Sequence, residues 1–144
     1  MDHEHSERLL RTTSGAAKAD LEAPQSILHA AFDAVIRGDF NAFGNAVTDD
    51  VELSIRGVDR LDGRWRGRAE VVAATRENFA MLAEQKPEIE DMIASENCIA
   101  VLLRERGVFK SDGRPYSVRG VQWFTFAGGK IRKIDEILAE TPDS

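Results

Sequence analysis

Three stretches of alternating apolar residues, separated by two glycine-containing turns, fill the last third of this chain and constrain its fold more than any other feature. Cys98 to Phe109, Tyr116 to Phe126 and Lys130 to Leu138 alternate, with Ser111-Asp112-Gly113 and Gly128-Gly129 between them. Side chains at every second position face the same side of a strand, and glycine supplies the positive φ that tight hairpins need. The spacing predicts an antiparallel meander with one buried face.

The chain before it reads as mostly helical. Pro24-Gln25-Ser26 marks a helix start, and Leu28, Ala31, Phe32, Val35 and Ile36 form one stripe before Gly38, which predicts a helix over 25–37. Asp39 suits the N-cap of a short second helix that buries Phe40, Phe43 and Val47 and ends at Thr48-Asp49-Asp50. Val51, Leu53 and Ile55 alternate with polar residues as a half-buried strand does. RGVDRLDGRWRGR reads as a polar loop, Val72, Thr75, Phe79 and Leu82 as a third helix over 69–83, and Ile89 to Ser95, after Pro87, as a further strand. The order implies one α+β domain over 25–140 with helices on one face of a curved antiparallel sheet, a flexible arm over 1–24 and a tail over 141–144.

The 144 residues carry 19 Lys and Arg against 25 Asp and Glu, a net charge of −6, which argues against a mainly nucleic-acid-binding surface. The expected partner is a small molecule or another chain. Cys98, alone in the apolar run CIAVLL, has no second cysteine to pair with and reads as a core thiol. The acidic start MDHEHSERLL has no apolar run, and no stretch approaches the roughly 20 apolar residues of a membrane span, so a cytoplasmic location is expected. His3 and His5 flank Glu4 on the arm, without the fixed surroundings of a metal site. No Cys–His cluster, phosphate loop or dinucleotide fingerprint points to a metal or cofactor.

This order of elements, with IRGDFNAFGNAVTDDVELSI, GRWRGRAEVVAATRENF and FAGGKIRKIDEIL, resembles the SnoaL-like branch of the nuclear transport factor 2-like superfamily from Gln25 to Glu140. The resemblance implies a cone-shaped α+β barrel in which a bent sheet wraps helices around an apolar pocket, and a homodimer joined through the outer sheet face. Members include ketosteroid isomerase, polyketide cyclases, epoxide hydrolases, dehydratases and non-catalytic binding modules, so fold alone does not name a reaction. At the isomerase's Tyr, general-base and acid positions this chain has Ala31, Ile55 and Gln122. The last-strand carboxylate of the epoxide hydrolases corresponds to Glu136, but Arg104-Glu105-Arg106 lacks their Arg-x-Asp pattern, and Ile134-Asp135-Glu136 keeps the cyclases' acid without their His.

The resemblance implies that Gln122 and Glu136 face in, and alternation then places Leu103, Glu105, Gly107, Phe109, Gly120, Phe124, Ile134 and Leu138 on the same face. Glu105, Gln122 and Glu136 form the candidate catalytic set: Glu136 as general base, raised by desolvation and by a second carboxylate, and Gln122 as donor to an oxyanion. Equally open is a structural reading in which Glu105 or Glu136 pairs with Arg56. His29 reads either as an acid–base partner at the pocket mouth or as a helix-flank histidine, and Trp65 either as a ring that stacks on a ligand or as a loop anchor. The ligand-binding set is His29, Phe32, Arg56, Trp65, Phe109, Phe124 and Leu138. Arg56, Arg60, Arg64, Arg66 and Arg68 read as a solvated face or as a clamp for a carboxylate ligand, while Val121, Trp123 and Ile137 alternate onto the outer face, where a second copy would cover them. The functional expectation is an isomerase, cyclase or hydratase acting without cofactor on a small hydrophobic carbonyl compound; the alternative is a non-catalytic ligand-binding or dimerisation module.

Overall fold

The computed structural model describes residues 10–12 and 18–141, with side chains from residue 23 onward. In chain order the elements are β1 (Leu10–Thr12), α1 (Lys18–Arg37), α2 (Phe40–Asn45), β2 (Val47–Arg56), β3 (Gly63–Arg66), α3 (Arg68–Ala80), β4 (Leu82–Ser95), β5 (Cys98–Phe109), β6 (Pro115–Ala127) and β7 (Lys130–Glu140). They build one seven-stranded sheet in the order β1-β4-β5-β6-β7-β2-β3.

The meander forms as the alternation requires. β4 to β7 are successively antiparallel, and the turns carry Gly113, Gly128 and Gly129 at φ of 69°, 56° and 77°. The sheet is curved and open, with β1 and β3 at its edges, and it is mixed rather than wholly antiparallel. β2 runs parallel to β7 and β1 parallel to β4, which is possible because long connections, not hairpins, separate those strands in sequence.

Four boundaries differ from the sequence reading. α1 begins at Lys18 and runs through Pro24, because the helix formers around residues 18–23 outweigh the one backbone bond that proline cannot make. The segment expected to be an arm thus supplies β1 and the start of α1; His3, Glu4 and His5 lie outside the described residues. Val47 is fully buried, but as the first residue of β2 rather than on the second helix. The polar loop contains β3, whose Trp65 pairs with Leu53. β4 starts at Leu82, seven residues before the expected strand, with bulges around Glu84 (φ 55°) and Glu90. Pro87 sits within it because β1 covers only Met92 to Ala94, so the missing N–H can face an open edge.

Leu28, Ala31 and Ala34 of α1, Phe43 of α2, and Val71 and Ala74 of α3 pack against Val51, Leu53, Ile55, Val101 and Ile134 of the sheet. Asp39 caps α2 as its sequence position suggests, its Oδ1 accepting from the Ala42 N–H at 3.1 Å. Ile93, Val121, Trp123 and Ile137 stand exposed on the other face of the sheet. No helix among the described residues is long and apolar enough to cross a membrane.

Candidate functional site

Between the helices and the inner sheet face lies a cavity of about 950 Å³ with a mostly apolar wall. α1 contributes Leu28, His29, Ala31, Phe32, Asp33, Val35 and Ile36; α3 contributes Thr75, Asn78 and Phe79; the strands bring Leu53, Ile55, Leu103, Val118, Phe124, Ile134 and Leu138. Phe32 and Phe124 meet edge to face with ring centroids 5.8 Å apart, locking helix to sheet beside the cavity.

Glu105, Gln122 and Glu136 line the cavity together, one each from β5, β6 and β7. Register explains this: Gln122 lies directly opposite Glu136, while Glu105 is opposite Val118, on the same face as Gln122 and displaced along the sheet. Gly120, opposite both Leu103 and Leu138, lies between them. A Cβ there would fall 2.2 Å from the Ile137 carbonyl oxygen, so only glycine permits this close packing of β6 on β7.

The Gln122 Nε2 donates a hydrogen bond to Glu136 Oε1, and the Gln122 Oε1 is buried without a hydrogen-bond partner among the described residues. Burial pushes the Glu136 carboxyl above the ordinary value of 4.5, and the bond from Gln122 partly offsets this by stabilising the ionised form. Glu105 is pushed up to about 7, first by desolvation and then by the negative charge of Glu136. Glu105 thus titrates near neutrality, and Glu136 also holds its proton to higher pH than an exposed carboxyl does. Tyr116 also lines the cavity; burial and the charges of Glu105, Glu136 and Glu140 hold its hydroxyl protonated well above its ordinary range.

Of the other residues singled out from sequence, His29, Phe32, Phe124 and Leu138 line this cavity, whereas Arg56, Trp65 and Phe109 do not. Arg56 is exposed at the end of β2, and no Lys or Arg lines the cavity among the described residues, so neither Glu105 nor Glu136 has the arginine partner of the structural reading. Trp65 is fixed in β3 with its ring over Gly63 and against the core, not over the cavity mouth. Phe109 does face inward, but at the far end of β5, packed 5.3 Å from the Tyr116 ring and under the Arg60 guanidinium at 4.2 Å. It lines a separate cleft of about 260 Å³ with Arg114, Ser117 and Glu140. The arginine-rich stretch is largely paired: Arg60 with Asp112 at 2.8 Å, Arg66 with Glu52 at 3.5 Å and Arg68 with Asp49 at 2.6 Å.

The Gln122 amide nitrogen, expected as a donor to an oxyanion, is hydrogen-bonded to the Glu136 carboxyl. Tyr116 is the residue the sequence reading missed, although it shares the parity of Gln122 on β6. Asp33 of α1 and Glu88 of β4 add two further carboxylates to the lining. Among the described residues, no group of three or more His, Cys, Asp or Glu side chains could hold a metal ion.

An open sheet curved over helices is the fold that this chain shares with solved nuclear transport factor 2-like structures. The chain belongs to the SnoaL-like domain family, whose pattern matches residues 28–134. Solved structures share the fold at low identity. A nuclear transport factor 2-like protein from Burkholderia xenovorans is 22% identical over 81% of this chain and 89% of its own, with a TM-score of 0.71. Another from Anabaena variabilis is 16% identical over 91% and 97%, with a TM-score of 0.73. A candidate polyketide cyclase from Xanthomonas campestris is 17% identical over 82% and 91%, with a TM-score of 0.66. Among curated proteins none matches the sequence.

Proposed function

We propose that the protein is an acid–base enzyme, of the isomerase, cyclase or hydratase kind, that acts without a cofactor on a small hydrophobic carbonyl compound. The observation that carries this reading is the pair of carboxyl groups, Glu105 and Glu136, set in an apolar wall where no lysine or arginine among the described residues neutralises them. Glu136 in its ionised form, aimed by Gln122, takes a proton from the carbon next to the carbonyl. The C–H electron pair becomes the carbon–carbon π bond of an enolate as the carbonyl π pair moves onto oxygen, where the Tyr116 hydroxyl and a protonated Glu105 donate hydrogen bonds. Glu136 then returns the proton to carbon on the same molecule. We read the protein further as a cytoplasmic homodimer in which a second copy covers Val121, Trp123 and Ile137; their exposure on the outer face supports this.

Deuterium exchange into 4-phenyl-2-butanone and a set of cyclic ketones, followed by NMR in heavy water, tests the chemistry. Wild type should accelerate exchange next to the carbonyl, and Glu136→Gln should abolish that acceleration with the fold intact. Absence of acceleration across the set, or full retention in Glu136→Gln, would overturn the assignment.

A further inference from the structure

Beside Glu105, Gln122 and Glu136 the cavity wall is rich in hydrogen-bond acceptors, while Thr75, Asn78 and Gln85 line the cavity from α3 and the start of β4. Its sheet wall presents two carboxyl groups and the Gln122 Oε1, a buried acceptor with no partner among the described residues, while the Gln122 Nε2 already serves Glu136. The titratable groups that face the space are His29 and Asp33 from α1, Glu88 from β4, Glu105 from β5, Tyr116 from β6 and Glu136 from β7. Four of these six are carboxylic acids. The one that can become a cation, His29, is on the helix and not on the strands that carry Glu105 and Glu136.

Such a wall discriminates by charge. A carboxylate ligand would add a negative charge beside two acids in a low-dielectric space, with no arginine to receive it. An ammonium group brings N–H donors for the unpartnered acceptor and for the Glu105 carboxyl, together with the opposite charge. The rings of Phe124, two residues from Gln122 on the same strand face, of Phe32 against it and of Tyr116 suit a cation as well as an apolar body. Resting on the reading that this cavity holds a carbonyl substrate, we infer that this substrate also carries a protonated amine, whose ammonium sits against Glu105 and the Gln122 Oε1 and leaves Glu136 to the carbon next to the carbonyl. The ammonium then takes the place of the Glu105 proton as the second donor beside Tyr116.

The inference is tested by calorimetric titration of the full chain with three probes matched in shape: 4-phenylbutylamine, 4-phenylbutanol and 4-phenylbutyrate. The amine should bind roughly tenfold or more tighter than the alcohol, as a charge-assisted contact implies, and the carboxylate weakest of the three. Between pH 6 and 8 amine binding should strengthen, with proton release detectable as a dependence of the heat on buffer ionisation. Glu105→Gln should reduce the preference for the amine over the alcohol. Equal binding of amine and alcohol, or tighter binding of the carboxylate, would overturn the charge assignment while leaving the cavity as the binding site. If none of the probes bound, both this inference and the proposed function would fall.

Discussion

Replacing Glu105 with Gln should make the protein more stable than wild type in mildly alkaline solution. The carboxyl stands at about 7 in the fold against an ordinary 4.5, so ionising it there costs on the order of 3 kcal/mol more than in the unfolded chain. Between these two values the native state holds a proton that the unfolded state has released, and stability falls as pH rises. The contribution is whole below about 4.5 and lost above about 7. The glutamine variant cannot ionise and should lack this loss, while Glu136 contributes in the same direction in both proteins. Urea unfolding of both proteins at intervals from pH 4.5 to 8.5 should show similar stability at the acid end. A gap in favour of the variant should open to on the order of 3 kcal/mol, or about 1–2 M in the urea midpoint. Parallel curves, or a variant destabilised across the whole range, would refute the argument that Glu105 is buried beside a charge without a compensating partner.

Other parts of the account have their own consequences. Gln122→Leu removes the hydrogen bond that favours ionised Glu136, so the Glu136 carboxyl should move further up and the acid limb of ketone exchange should shift to higher pH in a rate profile. Gly57 has φ 110° and a Cβ there would fall 1.7 Å from the Leu138 carbonyl oxygen, so Gly57→Ala should cost more than about 3 kcal/mol in urea unfolding. Asp39→Ala removes the cap of α2 and should cost about 1 kcal/mol in the same assay. Trp123→Glu, which puts a charge on the exposed apolar sheet face, should convert a sedimenting dimer into a monomer without changing the far-ultraviolet circular dichroism.

Alternation made the inner face of the sheet legible, because a slip of one residue would turn every apolar side chain outward. Leu103, Phe124, Ile134 and Leu138 are buried and Val121, Trp123 and Ile137 exposed for that reason, and the meeting of Gln122 with Glu136 follows from the hairpin at Gly128-Gly129. Alternation gives the face and not the depth. Phe109 shares the parity of Glu105 yet lies past the cavity, where the Arg60 guanidinium covers it. β3 was hidden because four residues with two arginines and a glycine carry no apolar period, and only pairing with β2 makes them a strand. The start of β4 was hidden by the bulge at Glu84, which breaks the period before Pro87. Arg56 failed as a partner for the acids because it leaves β2 on the exposed side, the face that its alternation with Leu53 and Ile55 already gives it.

The most direct test of the central claim is an NMR titration of the side-chain carboxyl carbons, labelled with carbon-13, in wild type and in Glu136→Gln. The account predicts a Glu105 midpoint near 7 in wild type, a Glu136 midpoint raised above 4.5, and a lower Glu105 midpoint once the Glu136 charge is gone. Midpoints of both groups at or below 4.5, or a Glu105 midpoint unmoved by Glu136→Gln, would contradict it.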